Sequence, residues 1–379
     1  MKYHTVIVGG GISGLFTAYF LANRVDPEKI LLVERSYIGS GSTLRCATGI
    51  RASFTTEEHI VLMKRSIEYW LELSRELGFY LRRGGYVWLL QEEHLDAFKE
   101  YSQLHNRFGV PTRIVDREFV AELVPSINQD MFAAALHDPL AMQADPFEVI
   151  HTLTRFLKST GVKIQEFTEV TKLVLDHERK NVEAVVTNKG EIPAENIVVA
   201  AGTGTKNLLK SVGVDAPLEP LPKHILITMR YRRLFDPLLI DWASNSYIVQ
   251  SRYGGFIVGA ELAENTSGEA INRIDYMPHA VRIWSKFFKW FPKVYILRYW
   301  TGYYVMTPDH HPVYGPVEGV DGVYIAAGFS GHGFMLGPVT GYVTSRWVID
   351  GDPGIAQAKN LMLARFTMGR LIREKAVIG

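Results

Sequence analysis

The first thirty-four residues constrain the fold more than any other stretch of the chain. An apolar run, Thr5, Val6, Ile7 and Val8, meets Gly9, Gly10, Gly11, Ile12, Ser13 and Gly14; an apolar-faced segment follows, then Ile30, Leu31, Leu32, Val33 and Glu34. The first run predicts a buried parallel strand, the glycines a tight turn, and residues 15–23 a helix whose free N-terminal N–H groups can hold a pyrophosphate. Gly9 permits the turn, Gly11 lets backbone approach phosphates with no Cβ in the way, and Gly14 lets helix and strand pack closely. Glu34 lies twenty residues after Gly14, where a carboxylate accepts hydrogen bonds from ribose hydroxyls and repels a 2′-phosphate. Strand, glycines, helix, strand and acid in that order predict a dinucleotide site.

At 379 residues the chain exceeds one ordinary compact core, and two intertwined domains are expected. A net charge of +1 gives no global attraction to nucleic acid, so a polyanion binder is excluded as the leading class. The single cysteine, Cys46, rules out an internal disulfide and any multi-cysteine metal cluster, and reads as a small packing residue. The N-terminal apolar run is broken by glycines, no stretch is apolar enough to span a bilayer, and a cytoplasmic protein is the expectation. One segment qualifies this. Residues 284–300 interleave aromatics with lysines, which fits either an aromatic core or a peripheral membrane contact.

Further along, residues 39–43 form a glycine- and serine-rich loop, followed by Leu44 to Arg51. Apolar residues recur at helical spacing from Glu57 to Leu77. Residues 80–90 read as strand around Gly84 and Gly85, residues 92–108 as a surface helix, and Asp145 with Pro146 as the start of a helix to Ser159. Strands are expected at 163–167, 170–175 and 182–187. A second strand-to-glycine junction follows at Asn196 to Gly204. From Lys223 to Tyr304 the pattern is mainly β, with strands at 225–230, 247–250 and 256–259 and one helix at 275–290. A third junction runs from Val323 through Gly328, Gly331 and Gly333 into an apolar helix ending near Ile349. Residues 1–79, 145–220 and 305–379 are therefore expected to form one domain, and residues 80–144 and 221–304 a β-rich second.

Three glycine junctions on one sheet suit a long cofactor such as FAD. Gly9 to Gly14 with Glu34, Gly39 to Thr43, Thr48 to Arg51, Val199 to Gly202, Thr307 to Asp309 and Ala327 to Phe334 together resemble the D-amino-acid oxidase and sarcosine oxidase superfamily of FAD-dependent oxidoreductases. The likeness spans essentially the whole chain and is greatest to the β subunits of heteromeric sarcosine oxidase and of archaeal dye-linked proline dehydrogenase. The resemblance implies an α/β plus α+β architecture: a Rossmann-like FAD-binding domain of the glutathione-reductase-like, D-amino-acid-oxidase type, interleaved with a β-rich substrate domain. It implies FAD held by Gly9, Gly11, Ile12, Ser13, Gly14, Glu34 and Arg35, by Ser42, Thr43, Thr48, Gly49 and Ile50, and by Val170, Ala201 and Gly202. At the ring end it implies Gly302, Tyr304, Gly331, His332, Gly333, Phe334 and Met335. A helix starting near Gly333 aims its positive end at the ring edge where charge accumulates on reduction.

The chemistry implied is oxidation of the C–N bond of an amino acid, with hydride passing to flavin N5 from a substrate whose amine is neutral. Proline is the first expectation, sarcosine or a glycine-type amine the alternative. Arg51 is the expected carboxylate clamp, while Tyr304, Tyr247, Tyr253 and His224 are candidates to line the pocket and His332 to sit at the flavin. Gly302 stands where monomeric sarcosine oxidases carry the cysteine that attaches the flavin, so FAD is expected to be non-covalent. Met335 stands where they carry a lysine that shares the substrate carboxylate, so the clamp here has one charge fewer. They also carry a lysine over the flavin that promotes reaction with oxygen, and none appears in residues 256–259, which favours an acceptor other than oxygen: a quinone, a dye or a partner subunit. The resemblance also raises a homo- or hetero-oligomer with FMN at a subunit interface. His310 and His311 are adjacent and cannot readily share one ion, so no metal is expected.

Overall fold

The computed structural model describes residues 2–178, 180–262 and 269–378. The N-terminal unit forms as its sequence requires: strand Tyr3–Val8, helix Ile12–Ala22 and strand Ile30–Val33, the helix beginning three residues earlier than expected, directly on the glycine turn. Around it a parallel sheet runs in the order Lys163–Gln165, Ile30–Val33, Tyr3–Val8, Gly190–Val199, Val323–Ala327, with Val313–Pro316 antiparallel at the edge. The N-terminal half of Gly190–Val199 continues into an antiparallel meander with Val182–Thr187 and Val170–Leu175.

Helices Ile12–Ala22 and Gly333–Asp350 pack against each other and both against this sheet. Gly341 makes that approach possible, since a Cβ there would fall on the Phe16 main chain. Helix Glu57–Leu77 has the expected bounds and packs on Gly333–Asp350, the Trp70 ring edge-on to Phe16 at 5.5 Å.

A second sheet of eight strands runs Ile296–Met306, Glu219–Arg230, Gly255–Ala260, Ser246–Gln250, Leu238–Asp241, Tyr86–Leu90, Ala134–Asp138, Arg113–Val115. Its one parallel step joins Leu238–Asp241 to Tyr86–Leu90. Residues 80–90 form two short strands, Leu81–Arg82 and Tyr86–Leu90, because Gly85 breaks the run at φ +76°. Helix Tyr276–Phe287 covers one face. Of the aromatics in residues 284–300, Trp284, Phe287, Phe288 and Phe291 are buried there in the core, while Tyr295 is 76% exposed. Among the described residues no helix is long and apolar enough to cross a membrane.

Candidate active site

All three glycine junctions leave the carboxyl ends of parallel strands on one edge of the first sheet, where ligands of such sheets bind. Gly9 sits at φ +115° and donates to the Val33 carbonyl at 2.8 Å, while a Cβ on it would meet the Ala200 carbonyl and one on Gly14 the Gly9 carbonyl. Ser13 is buried in the first turn of the helix that Gly11 caps. The Ile12 N–H donates to Thr43 Oγ1 at 3.1 Å. Glu34 accepts from the N–H groups of Gly10 at 2.8 Å and Ser36 at 2.9 Å. Ser42 donates to the Tyr303 carbonyl at 2.7 Å, tying the loop to the second sheet. Thr168 donates its N–H to Glu34, which brings the chain leading to Val170 alongside, and Ala201 and Gly202 follow the neighbouring strand. Arg35 is exposed.

At the other end of this cleft Thr48 adopts φ +70°, unusual for a branched residue, and its buried hydroxyl has no partner. Gly49 and Ile50 pair with Gln143 and Met142, and the Tyr86 hydroxyl fills the place a Cβ of Gly49 would need. The Tyr304 ring packs likewise on Gly331, which has φ +94°. Gly302 lies two residues before it, its Cα side against Arg45. Helix Gly333–Asp350 starts at His332, with Phe334 buried beside Trp70 and the Met335 carbonyl accepting from Ser66 and the Trp70 indole.

Arg51 is 3% exposed. Its guanidinium carbon lies 3.7 Å from the centre of the Phe54 ring and 4.7 Å from the Trp88 ring. It donates to two carbonyls, Ser53 and, at 2.6 Å, Ala376. No carboxylate among the described residues is ion-paired with it, and burial draws its pKa down to about 10. His332 Nε2 lies 3.2 Å from the same Ala376 carbonyl. A carbonyl can only accept, so Nε2 carries the proton and the buried Nδ1 is bare and unpartnered. Tyr304 donates to the Ile378 carbonyl at 3.0 Å. Burial first, then the neighbouring His59 and Arg51, holds His332 well below the ordinary histidine range.

Beside this group lies a network that spacing in the sequence does not reveal. Glu374, fully buried, accepts from Thr55 Oγ1 at 2.6 Å, Thr56 Oγ1 at 2.7 Å, the Ala376 N–H at 2.9 Å and the Thr55 N–H at 3.0 Å. Since Thr56 gives its hydroxyl proton to Glu374, it accepts from His311 Nε2 at 3.1 Å. His311 Nδ1 is then bare and accepts from His59 Nδ1 at 3.1 Å, which leaves His59 Nε2 buried and unpartnered. Both rings are neutral: burial first, then its neighbour, pushes His311 down to about 3, and burial with the Arg51 charge lowers His59. His59, His311 and Glu374 offer potential metal-ligand atoms within 4.8 Å of one another, but every one of their polar atoms except His59 Nε2 is engaged in this network.

Other expected residues are placed differently. Tyr253 is 54% exposed on the turn before strand Gly255–Ala260, beside Arg230 and Arg252, and the structure does not bring it to the site. His224 is buried but bonds to Thr301 at 2.9 Å and faces Tyr276. Alternation along strand Ile296–Met306 puts Thr301 on the face opposite Gly302 and Tyr304, so His224 belongs to the second core instead. Tyr247 is buried with its ring over Gly259, near Tyr304 and Tyr86. Cys46 is free, its thiol pushed up to about 12 by burial.

A family profile described as FAD dependent oxidoreductase matches residues 4–347. The chain belongs to that family. This FAD-dependent oxidoreductase is 26% identical to the sarcosine oxidase subunit beta of Rhizobium meliloti, over 98% of its own length and 90% of that protein. It is 26% identical to the mitochondrial dimethylglycine dehydrogenase of Rattus norvegicus, over 93% of its length but 43% of that protein. It is similar to the crystal structure of L-proline dehydrogenase from P. horikoshii, with 33% identity, a TM-score of 0.93, and 98% and 99% of the two chains covered. The fold is of the D-amino-acid oxidase type. The residues present fit FAD: Gly9 and Gly14 form a tight cradle in which a Cβ would meet backbone carbonyls, and buried Thr48 Oγ1 and His332 Nδ1 lack partners.

Proposed function

We propose that this oxidoreductase is a dehydrogenase that oxidises the C–N bond of a secondary amino acid, proline first. The observation that carries this reading is Arg51: a buried guanidinium, paired with no described carboxylate, sharing the Ala376 carbonyl with the residue that caps the flavin-side helix. A desolvated cation of this kind is stabilised by an anion, and a substrate α-carboxylate supplies one in bidentate geometry. Phe54, Trp88, Tyr86, Tyr247 and Tyr304 provide aromatic surface around it that suits a pyrrolidine ring. FAD, held non-covalently by the three glycine junctions, supplies the acceptor for an electron pair. In the reading proposed here, Arg51 holds the carboxylate, the aromatic walls exclude water and so favour the neutral amine, and the helix beginning at Gly333 favours negative charge at its N-terminus.

Residues 1–79, 145–220 and 305–379 then act as the cofactor domain and 80–144 with 221–304 as the substrate domain. Electrons leave to an acceptor other than oxygen. The alternative, a sarcosine- or glycine-type amine oxidase working as the β subunit of a heteromeric complex with FMN at the interface, draws support from the sarcosine oxidase relatives. It also draws support from apolar residues exposed at and beside the edge strand of the second sheet, Tyr295 at 76% and Leu297 at 60%.

The test is the visible spectrum of the purified protein under anaerobic conditions, before and after L-proline, D-proline, sarcosine or glycine. Bleaching by a proline enantiomer supports the first reading, and bleaching by sarcosine or glycine alone supports the second. A flavin spectrum that no amino acid alters removes the amino-acid reading.

A further inference from the structure

Arg51, Tyr304 and His332 come from three separate elements, yet each donates to a carbonyl in the segment 374–378: Arg51 and His332 to Ala376, Tyr304 to Ile378. Glu374 fixes that segment. Its carboxylate gathers Thr55, Thr56 and the Ala376 N–H, its own N–H donates to the Asp309 carbonyl at 3.0 Å, and its carbonyl accepts from His310 Nδ1 at 2.9 Å. A buried carboxylate satisfied on both oxygens is costly to disturb, because removing it strands several donors at once. The turn that presents the Ala376 carbonyl is thus held from Glu374, and the Thr56, His311 and His59 chain backs it.

Resting on the amino-acid reading above, we infer that Ala376, positioned by Glu374, is a specificity-determining residue: its backbone carbonyl accepts the N–H of the substrate amine. In an α-amino acid only one carbon separates the nitrogen from the carboxylate. A carboxylate seated on Arg51 therefore sets the nitrogen beside the acceptor that Arg51 contacts at 2.6 Å. The carboxylate, a charged acceptor, displaces the neutral carbonyl from Arg51 and frees it for the amine. The same carbonyl keeps the His332 N–H engaged at 3.2 Å, so that donor does not tie up the nitrogen lone pair. Engaging the N–H leaves the lone pair free to assist departure of the electron pair from the adjacent carbon.

The site accordingly selects amino acids that retain an N–H in the neutral form. Glycine, sarcosine and proline qualify. N,N-dimethylglycine and N-methylproline do not; each puts a methyl against the carbonyl instead.

The experiment compares anaerobic flavin reduction in the FAD-loaded protein for two pairs, sarcosine against N,N-dimethylglycine and proline against N-methylproline. The expected preference for the N–H member is about tenfold or more in kcat/KM, the scale of one lost hydrogen bond together with a steric clash. In Glu374→Ala the KM for the N–H substrate should rise about tenfold while that for the tertiary analogue moves little, so the preference collapses. Thr56→Val, which removes one donor from Glu374, should shift the preference in the same direction by less, and it keeps the test open if Glu374→Ala does not hold FAD. Equal reduction by both members in the unaltered protein overturns the inference, as does an equal loss for both in the variants. Flavin that none of the four reduces overturns the amino-acid reading, and this inference with it.

Discussion

Arg51 shows how little sequence it takes to specify a site and how much fold it takes to build one. Its guanidinium is covered on its faces by Phe54 and Trp88 and capped by a carbonyl 325 residues further along the chain. Replacing it with alanine should lower amino-acid-dependent flavin reduction by about a hundredfold or more while FAD stays bound, since a buried charge-assisted pair contributes about 2–5 kcal/mol. Anaerobic stopped-flow and the flavin-to-protein absorbance ratio check both halves of that statement; unchanged reduction would remove Arg51 from the mechanism. The histidines carry a pH prediction. His311 has a folded pKa of about 3 against about 6.5 unfolded, and His59 and His332 are shifted the same way. The unfolded chain therefore binds more protons in that window, so stability is full above about pH 6.5 and falls as the pH drops toward 3. Urea denaturation from pH 7 to 5 should show the decline, and His311→Asn should flatten it.

At the scale of elements, the long helices followed the sequence closely, while the short helices Arg117–Leu123 and Thr205–Lys210 were not foreseen. Glu57–Leu77 has the bounds its apolar period implies, and Asp145 caps Pro146–Thr160 by accepting from the N–H groups of Phe147 and Glu148. Strands Arg113–Val115, Ala134–Asp138 and Leu238–Asp241 were not legible. The last is buried throughout and so shows no alternation, while the first is three residues long and the second is built of weak strand formers. In the candidate site, Arg51, Tyr304 and His332 could be singled out because each lies near a glycine motif, and the structure brings all three to the segment 374–378. Glu374, His59 and His311 could not, since their partners are 252 to 319 residues away and only tertiary packing joins them. Tyr253 and His224 fail for a different reason: a turn or a single step along a pleat reverses which way a side chain faces, and composition does not record it. Helix Gly333–Asp350 gives a test of packing. Gly341→Ala places a methyl on the Phe16 main chain and should cost about 1–3 kcal/mol in urea denaturation, with FAD affinity falling because the helix end at His332 shifts.

Over the whole molecule, one buried pair ties the chain past the last long helix to the cofactor side. Arg365 donates to Asp309 through Nε at 2.7 Å and Nη2 at 2.9 Å, and both residues are buried. Burial works against the Asp309 carboxylate, but Arg365 outweighs it and holds its pKa below the usual range. Asp309→Asn leaves the guanidinium buried without its counterion and should cost about 3–5 kcal/mol, read as a lower Tm. The same wiring orders events in time. Strand Tyr3–Val8 is central to the first sheet, and the cradle beside it is synthesised before residues 374–378, whose Ala376 carbonyl caps Arg51. Until residues 374–378 emerge from the ribosome, a growing chain leaves the donors of Arg51, Tyr304 and His332 without the carbonyls that later engage them, so this corner of the molecule is completed after the cradle has formed.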